Sequence, residues 1–431
     1  MARCVALSAV FVVSSVLPGC DHREAGISAG PDAGFAIRDS AEIDIVENHS
    51  PEYSSDRFWR MDMEPEIVLG GGDRSLLTGD SAHLIWQVSG LARLEDGRVA
   101  VLSRGSRQLY LFKPTGELSR VMGGEGEGPG EFSSPEELQY LPPDTLAVWD
   151  SWFGPVSYFD TDGDLIRTRS VDLGKALGAV NGLSAESRRI PLADGSFVTG
   201  IEDDPMFNPP AGTLARQPLE FVRIDPEYAT SSLGVWKSVE AVGVDIPAAS
   251  LPVPWPVFTF LDAFLAAGAD PPTIYVADGT ADEIRRFSFD GRPVRIIRRS
   301  TPPMPVSDEA HRAWVTYLAT LNGLAARGLD EPLLRAIPRR DFHPPVAGLF
   351  VDPEGHLWVS EWSAPEVGGP DRWSVFSAEG RWLGVLPAPM LEVPCHWYRN
   401  PCWMGTDFFL AVRRDELGRE RVEGYRIRRH D

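Results

Sequence analysis

The chain has 431 residues, of which 43% are hydrophobic and 10% aromatic, so it is long enough to bury a substantial core. Its 62 acidic residues outnumber its 41 basic residues and give a formal net charge of −21, a balance that repels nucleic-acid phosphates and anionic lipid surfaces. We therefore expect no nucleic-acid partner. The 41 glycines and 37 prolines follow no period, which favours a turn-rich all-β fold over collagen or disorder.

The N-terminal residues 1–19 are typical of a lipoprotein signal peptide. Arg3 precedes an apolar run over 5–17, which is shorter than the roughly 20 residues that cross a bilayer. The run ends in Leu-Pro-Gly-Cys and resembles a bacterial lipobox, in which cleavage before Cys20 leaves that residue lipidated. Pro18 departs from the usual pattern, and plain secretion is the alternative. The segment 20–57 has few large apolar residues, so we expect a flexible tether there.

From residue 58 to the end, the sequence repeats a unit of short apolar strands separated by Asp-Gly, Glu-Gly or Thr-Gly turns. The repeats align on a residue in the middle of each unit: Phe112, Phe159, Val222, Phe287, Phe376 and Tyr425. A single four-stranded sheet cannot bury both its faces, so six such sheets arranged around an axis are the natural solution. The prediction is an all-β, six-bladed β-propeller over 58–431.

The last unit is one strand short, because only six residues follow Tyr425. The segment 64–71, Glu-Pro-Glu-Ile-Val-Leu-Gly-Gly, precedes the first unit and has no sheet of its own. We expect this N-terminal strand to complete the sixth blade and close the ring.

The glycine-rich stretch over 121–141 has two interpretations, a phosphate-binding loop or a connection between blades. A Walker loop ends in Gly-Lys-Ser/Thr, whereas this run ends in Gly-Glu-Phe. Its acids Glu125 and Glu127 would repel phosphate, and the next element is a strand instead of a helix. The pattern therefore predicts a tight crossover between two blades.

This stretch, Gly-Gly-Glu-Gly-Glu-Gly-Pro-Gly-Glu-Phe followed by an apolar strand, resembles the NHL-repeat signature. The whole of 58–431 is similar to the six-bladed NHL-like propellers of bacterial lipoproteins, most closely over 88–171. The resemblance implies a propeller on the extracytoplasmic side of a membrane. It also points to related lactonase-type propellers, which hold calcium at the channel mouth, and to NHL-like lyases, which bind zinc through histidines.

In a propeller, the loops after the second strands share one face with the crossovers around the channel. Six residues begin those loops: Ser103, Asp150, Glu202, Asp278, Glu361 and Arg414. We take Asp150, Asp204, Asp278 and Glu361 as candidate ligands at this channel mouth, since carboxylate oxygens suit Ca²⁺. The alternative is that each acid caps its own turn.

Other candidates lie in the same loops. His83 and His343 fall in crossovers on this face, and Trp362 follows a second strand, either to stack on a ligand or to pack at the rim. Two histidines make a weak zinc site, which needs at least three ligands. The sequence contains neither the G-x-S-x-G motif of a nucleophile elbow nor the H-E-x-x-H motif of zinc proteases. No catalytic residue is therefore assigned.

A helical insertion is predicted over 301–346. Ser307 is a plausible N-cap, and apolar residues follow at helical spacing: Ala310, Trp314, Tyr317, Leu318, Leu321 and Leu324. Gly328 would end this helix, and a short second helix would begin near Asp330. We expect the pair over the channel mouth, as a ligand lid or as a plug.

Of the four cysteines, Cys395 and Cys402 remain after the signal peptide and the lipidation site are set aside. Outside the cytoplasm such a close pair favours a disulfide. The rival reading, a metal site with His396, lacks a second Cys/His pair nearby.

Together these features predict a monomeric lipoprotein anchored to a membrane in the periplasm or at the outer surface, serving the cell envelope as a small-molecule- or protein-binding module. No cofactor is required, although calcium remains an option. The alternative is a calcium- or zinc-assisted hydrolase, lactonase or lyase with its site at the channel mouth.

Overall fold

The structure of the protein is a computed structural model. The structure describes residues 34–70, 85–150, 154–177, 189–192, 194–202, 204, 207–245, 255–258, 261–268, 272–321, 323–328, 330–362, 371–389, 391, 395, 401–415 and 418–429. Cys20 and His83 lie outside these residues.

The described chain begins with four strands that precede the blades. They are β1 (Phe35–Ser40), β2 (Ile43–Asn48), β3 (Arg60–Met61) and β4 (Ile67–Gly70). Three blades follow, and in each the strands lie side by side in the order given. The first blade has β5 (Val88–Arg93), β6 (Val99–Ser103), β7 (Gln108–Phe112) and β8 (Leu118–Gly123); the second has β9 (Pro135–Leu141), β10 (Thr145–Asp150), β11 (Val156–Asp160) and β12 (Leu165–Arg169); the third has β13 (Ile190–Pro191), β14 (Phe197–Glu202), β16 (Pro218–Ile224) and β17 (Thr230–Lys237).

Three further blades complete the ring of six. The fourth has β20 (Ala263–Gly268), β21 (Thr273–Asp278), β22 (Glu283–Phe287) and β23 (Pro293–Arg299); the fifth has β24 (Gly348–Val351), β25 (Leu357–Ser360), β26 (Asp371–Phe376) and β27 (Trp382–Ala388); the sixth has β28 (Cys402–Met404), β29 (Phe408–Arg414) and β30 (Glu420–Arg428). A small extra sheet contains β15 (Leu214–Ala215), β18 (Ala241–Val244) and β19 (Trp255–Phe258). The predicted six-bladed propeller is therefore confirmed.

The ring closes with an N-terminal strand, as the sequence predicted. β4 runs antiparallel to β30, with Leu69 opposite Val422 and Ile67 opposite Gly424. β3 extends the same edge of β30, pairing Met61 with Ile427. The first and last strands of the propeller thus share one sheet, so the sixth blade forms only when both ends of the domain are in place.

The predicted tether over 20–57 is wrong for residues 35–57. β1 and β2 form a hairpin, and β2 pairs in parallel with β23, so the fourth blade becomes a six-stranded sheet. Buried Asn48 fixes the end of this hairpin: its Nδ2 donates to the carbonyls of Arg298 and Gly380, and its Oδ1 accepts from the Trp382 amide. Ordered pairing, and not flexibility, places this segment.

Beyond the hairpin, the chain crosses the outside of the fifth blade before it reaches the sixth. The amides of Glu52 and Tyr53 donate to the carbonyls of Trp382 and Leu383, at 2.8 and 2.9 Å. Phe58 is 1% exposed, and its ring occupies the space beside Gly384, where a Cβ would lie 2.3 Å from it. The segment 34–61 therefore forms a strap over three consecutive blades.

The core consists of apolar layers between neighbouring blades. Between the first and second blades, for example, Leu102 and Leu109 pack with Val148 and Phe159, and between the second and third blades the rings of Trp149 and Phe197 lie 5.1 Å apart. Each blade buries both faces in this way, which explains why its central strands are almost continuously apolar.

Four of the six residues that aligned the sequence repeats occupy equivalent places. Phe112, Phe159, Phe287 and Phe376 each mark a register shift between the third and fourth strands of their blade. A bulge of this kind bends and twists the outer strand. The repeat in sequence thus corresponds to a repeated irregularity in the sheets.

The glycine-rich stretch connects β8 with β9, as a crossover between the first two blades. Gly123 has φ +76°, and a Cβ there would lie 2.3 Å from the ring of Phe132, which is fully buried. Both the left-handed backbone and the close ring require glycine at this position.

The insertion forms the two helices that were predicted. α1 (Leu173–Leu177) precedes them in the chain; α2 (Asp308–Leu321) and α3 (Asp330–Ala336) flank a 3₁₀ turn over Ala325–Arg327. Ser307 caps α2, since its Oγ accepts from the amide of Ala310 at 3.0 Å. The helices pack against β18, Leu214 and Trp362, which places them on the face where the second strands end.

Two further points concern covalent and membrane features. Cys395 and Cys402 form the predicted disulfide, with their Cα atoms 5.4 Å apart. Among the described residues, no helix combines the length and apolar character that a membrane crossing requires.

Candidate functional site

The predicted second-strand ends lie where the sequence placed them. β6, β10, β14, β21 and β29 end at Ser103, Asp150, Glu202, Asp278 and Arg414, and Glu361 follows β25 directly. These positions share the face that carries the crossovers and the two helices. The structure therefore allows each candidate ligand to be assessed by the groups around it.

Asp150 binds the crossover of its own blade. Its carboxylate accepts hydrogen bonds from the amides of Ser133 and Ser134, at 2.9 and 2.7 Å, and from the hydroxyl of Ser133 at 3.0 Å. Asp150 is buried, and these donors compensate its charge. The carboxylate holds the end of the glycine-rich crossover against β10.

Asp278 connects two blades. Its carboxylate pairs with the guanidinium of Arg216 at 2.8 Å, and it accepts from the amide and hydroxyl of Thr280. Burial alone would raise the pKa of Asp278, but the hydrogen bonds from Arg216 and Thr280 outweigh it and hold the pKa below its usual value. Asp278 is therefore ionised at neutral pH.

Glu361 takes part in a buried ion network between the fourth and fifth blades. Its Oε1 pairs with Arg299, 2.7 Å away, and accepts from the hydroxyl of Ser374. The side chain of Arg299 is only 3% exposed and also pairs with Asp282 at 3.0 Å. Because removal of one partner would leave a buried charge uncompensated, this network stabilises the junction of the two blades.

Asp204 belongs to a different loop. Its backbone exchanges two hydrogen bonds with the side chain of Gln217. Within the described part of the chain, no three His, Cys, Asp or Glu side chains lie close enough to hold a metal ion. The described carboxylates at the channel mouth thus do not fit the calcium site that the resemblance implies, and we derive no step through a metal.

His343 and Trp362, in contrast, come together. Their rings are nearly parallel, with an interplanar angle of 21° and centroids 6.0 Å apart. His343 lies in the crossover before β24, and Trp362 lies directly after β25. Two residues proposed from the sequence therefore meet beside the helical insertion.

These two rings form one side of a pocket under α2. The space between its walls is about 370 Å³, counted to the open mouth. The lining residues come from α2, from both crossovers that flank the fourth blade, and from the loop after β25: Leu261, Val306, Ala310, His311, Trp314, Arg340, His343, Pro344 and Trp362. The lining thus combines apolar and aromatic side chains with a few polar groups, a composition that is common in small-molecule sites.

The pocket carries little net charge. Burial lowers the pKa of His311 and of His343 below the usual 6.5, so both imidazoles are neutral at pH 7. The guanidinium of Arg340 pairs with the carboxylate of Glu240. The side chain of Arg340 is 23% exposed and that of Glu240 is 10% exposed. The single formal cation of the lining is thus neutralised from outside the pocket.

Two ring nitrogens on the α2 side of the lining have no hydrogen-bond partner. His311 and Trp314 are each 8% exposed, and His311 Nδ1 and Trp314 Nε1 are buried without a partner. The Nδ1 of a neutral imidazole donates or accepts a hydrogen bond according to the tautomer, whereas an indole Nε1 only donates. Such unsatisfied groups are uncommon in native interiors.

Sequence reasoning missed several of these residues. The spacing places Trp314 on the apolar face of the predicted helix, but it does not single out His311 or Arg340. The available signal was weak: His311 lies one helical turn ahead of Trp314 and Val315, beside the apolar stripe. Nothing in the spacing of Leu261 or Arg340 indicates that they face the same space.

No family model matches the chain, and no curated protein matches its sequence. Solved structures similar to it include a member of the DUF4221 family from Bacteroides vulgatus, with 8% identity, a TM-score of 0.47, and coverage of 87% of this chain and 99% of that one. A gluconolactonase from Xanthomonas campestris is 14% identical, with a TM-score of 0.40 and coverage of 88% and 100%. Regucalcin, a calcium-binding protein from Agrobacterium tumefaciens, is 13% identical, with a TM-score of 0.32 and coverage of 80% and 92%. These values are too low to transfer an activity.

Proposed function

We propose that this protein is a lipid-anchored propeller of the cell envelope that binds a small molecule in the pocket under α2. The observation that carries the proposal is the pocket itself, which is lined by two tryptophans and two neutral histidines from α2, the crossover before β24 and the loop after β25. Aromatic walls with a few polar groups are the usual composition of ligand sites.

The alternative role of the helices is a plug that fills a hole in the propeller. A plug would be expected to pack at the density of a protein interior and to satisfy its buried polar groups. Instead, a pocket open to solvent remains beneath α2, and two ring nitrogens of its α2 wall lack partners. Both features favour a ligand site covered by the insertion.

Binding is tested with the chain from residue 20 onwards, carrying Cys20→Ser so that no lipid is attached. A panel of small molecules is added while the melting temperature is recorded, since a ligand at 100 times its Kd adds about 2.7 kcal/mol to stability. Hits should lose their effect in Trp362→Ala. The matched control is Trp86→Ala, which removes a half-exposed tryptophan from another crossover.

Shifts that persist in Trp362→Ala and in Arg340→Ala would place the ligand elsewhere and overturn the proposal. The anchor is tested separately, by fractionation and mass spectrometry of the full-length protein. The expected result is a diacylated or triacylated Cys20 in the membrane fraction, and release of the protein by Cys20→Ser. A soluble native protein without lipid would contradict the anchor.

A further inference from the structure

The charge and polarity of the pocket restrict what it can hold. An ion that enters it would lose its hydration without gaining a counter-charge, because Arg340 is already paired with Glu240 and both imidazoles are neutral. A charged ligand is therefore disfavoured in the part that lies beneath α2.

A polyhydroxylated ligand is disfavoured for a related reason. Every hydroxyl of a sugar or sugar lactone that leaves water needs a new partner, or its burial costs free energy. Five of the nine lining residues are Leu261, Val306, Ala310, Pro344 and Trp314, whose side chains offer one N–H in total. This apolar part of the wall cannot satisfy several hydroxyl groups at once.

A flat ring, on the other hand, matches the walls. The imidazole of His343 and the indole of Trp362 are nearly parallel, and the rings of His311 and Trp314 lie 6.1 Å apart on the side of α2. Aromatic rings that stack or meet edge to face gain stability beyond that of the apolar area they bury.

The unsatisfied nitrogens specify one polar substituent. His311 Nδ1 and Trp314 Nε1 are buried without partners; the indole nitrogen donates, Nδ1 accepts in the tautomer that carries its proton on Nε2, and a hydroxyl group both donates and accepts. Both atoms are enclosed in the described conformation, so a slight outward movement of α2 must accompany their contact with a ligand. A hydroxyl there would pair with groups whose burial is otherwise uncompensated.

We propose that the pocket binds an uncharged, flat aromatic ring with a single hydroxyl group, that is, a ligand of the phenol class. This inference rests on the proposed function, because it assigns the ligand class of the same site. It also separates this pocket from sites for sugar lactones, whose ring is saturated and carries several hydroxyls.

The test uses four probes with the chain from residue 20 carrying Cys20→Ser: phenol, toluene, benzoate and glucose. Binding is read from the indole N–H signals of Trp314 and Trp362, which are identified by their loss in Trp314→Phe and Trp362→Phe. The expected result is a phenol Kd of about 1 mM, since a ligand of so few heavy atoms binds weakly even in a complementary site. Benzoate should bind at least about tenfold more weakly, which corresponds to about 1.4 kcal/mol, and glucose should not bind.

A second variant isolates the hydroxyl contact. His311→Phe keeps a ring of similar size and removes Nδ1, so it should weaken phenol about fivefold and leave toluene unchanged. Equal weakening of both probes, or no weakening of phenol, would overturn the assigned contact.

The remaining outcomes separate the two proposals. Tighter binding of benzoate or glucose, with shifts of the same two indole signals, would overturn the ligand class and leave the pocket as a binding site. If no probe or panel compound shifts either indole signal, the proposed function fails together with the ligand class.

Discussion

At the scale of single residues, the acids of the channel mouth show why residue type alone does not define a site. Asp150, Asp278 and Glu361 lie on the predicted face, yet each carboxylate is bound by donors of its own or a neighbouring blade. A carboxylate at the end of a strand is a good metal ligand and an equally good acceptor for backbone amides. Their roles as channel-mouth ligands stay predictions, and their structural roles are visible.

The Asp278–Arg216 pair leads to a prediction about acid stability. Because the pKa of Asp278 is lowered in the folded protein, its contribution is present above the unfolded pKa of about 3.9 and is lost as the pH falls through the lower, folded value. Asp278→Asn should destabilise the protein by about 1–2 kcal/mol at pH 7, with the difference shrinking towards pH 3. Chemical unfolding at several pH values measures it.

The control for this experiment is Asp144→Asn, since Asp144 is exposed in a turn and exposed substitutions usually change stability by less than about 0.5 kcal/mol. A difference between wild type and Asp278→Asn that does not depend on pH would show that the carboxylate contributes by packing alone.

The same residues lead to a prediction about metal removal. The described carboxylates at the mouth are already compensated by protein donors, so chelation should shift the melting temperature by less than about 1 °C, against the few degrees expected for loss of a bound ion. The shift is measured by thermal unfolding with and without chelator, together with metal analysis of the purified protein. One equivalent of calcium with a reversible shift would favour the hydrolase alternative.

At the scale of elements, the N-terminal hairpin shows how a missing turn signal hides a strand. Ser40 pairs with Ile43, so the turn between β1 and β2 has two residues, Ala41 and Glu42, both with positive φ of 54° and 65°. Such turns usually carry Asn-Gly or Asp-Gly. Without them, the segment has the composition of a tether.

Glu42→Gly should therefore stabilise the protein by about 0.5–1 kcal/mol, because a left-handed conformation costs a non-glycine residue about 1–2 kcal/mol and glycine returns part of this through its unfolded entropy. Urea unfolding measures the change. Asp39→Gly, within β1, is the matched control and should destabilise. If both substitutions have the same sign, the turn conformation is not the cause.

The disulfide is an element-scale constraint of another kind. Cys395 and Cys402 are seven residues apart and both belong to the apolar cluster between the fifth and sixth blades. Closing this loop should contribute about 2.5 kcal/mol on the chain-entropy estimate. The Cys395→Ala/Cys402→Ala variant should melt at a lower temperature than wild type and should be insensitive to reductant, while wild type should fall to a similar value when reduced. An unchanged wild type in reductant, with the bond shown by mass spectrometry to be broken, would contradict this.

At the scale of the whole molecule, the N-terminal segment closes the ring and reinforces it. β4 completes the sixth blade, whereas the hairpin only extends the outer edge of the fourth. These two contributions differ in kind, since the first supplies a strand that the ring needs and the second adds strands to a finished sheet.

Two truncations separate the contributions. A chain that begins at residue 50 should still unfold cooperatively, at a reduced melting temperature, because each blade keeps its four strands. A chain that begins at residue 71 loses β3 and β4 and should lose cooperative unfolding or associate through the open edge of β30. Circular dichroism melts and sedimentation check both. Equal behaviour of the two chains would show that ring closure does not depend on β4.

The sequence by itself determined the blades, the crossover, the capped helix and the disulfide, because these features are encoded within short stretches of chain. Strand alternation, turn glycines and the Ser307 cap act between residues that are close in sequence. The closing strand β4 was also predictable, since the last repeat is one strand short and the segment that forms β4 has no sheet of its own in the repeat pattern.

Only the tertiary structure decided the hairpin's parallel partner and the pocket. β2 pairs with a strand about 250 residues away, and Leu261, Trp314, Arg340 and Trp362 come from four separate segments. These residues come together only when the insertion packs on the loops of neighbouring blades. The same packing determines which charged side chains form ion pairs. Contacts between distant segments depend on volume, burial and geometry in three dimensions, and no local period in the sequence records them.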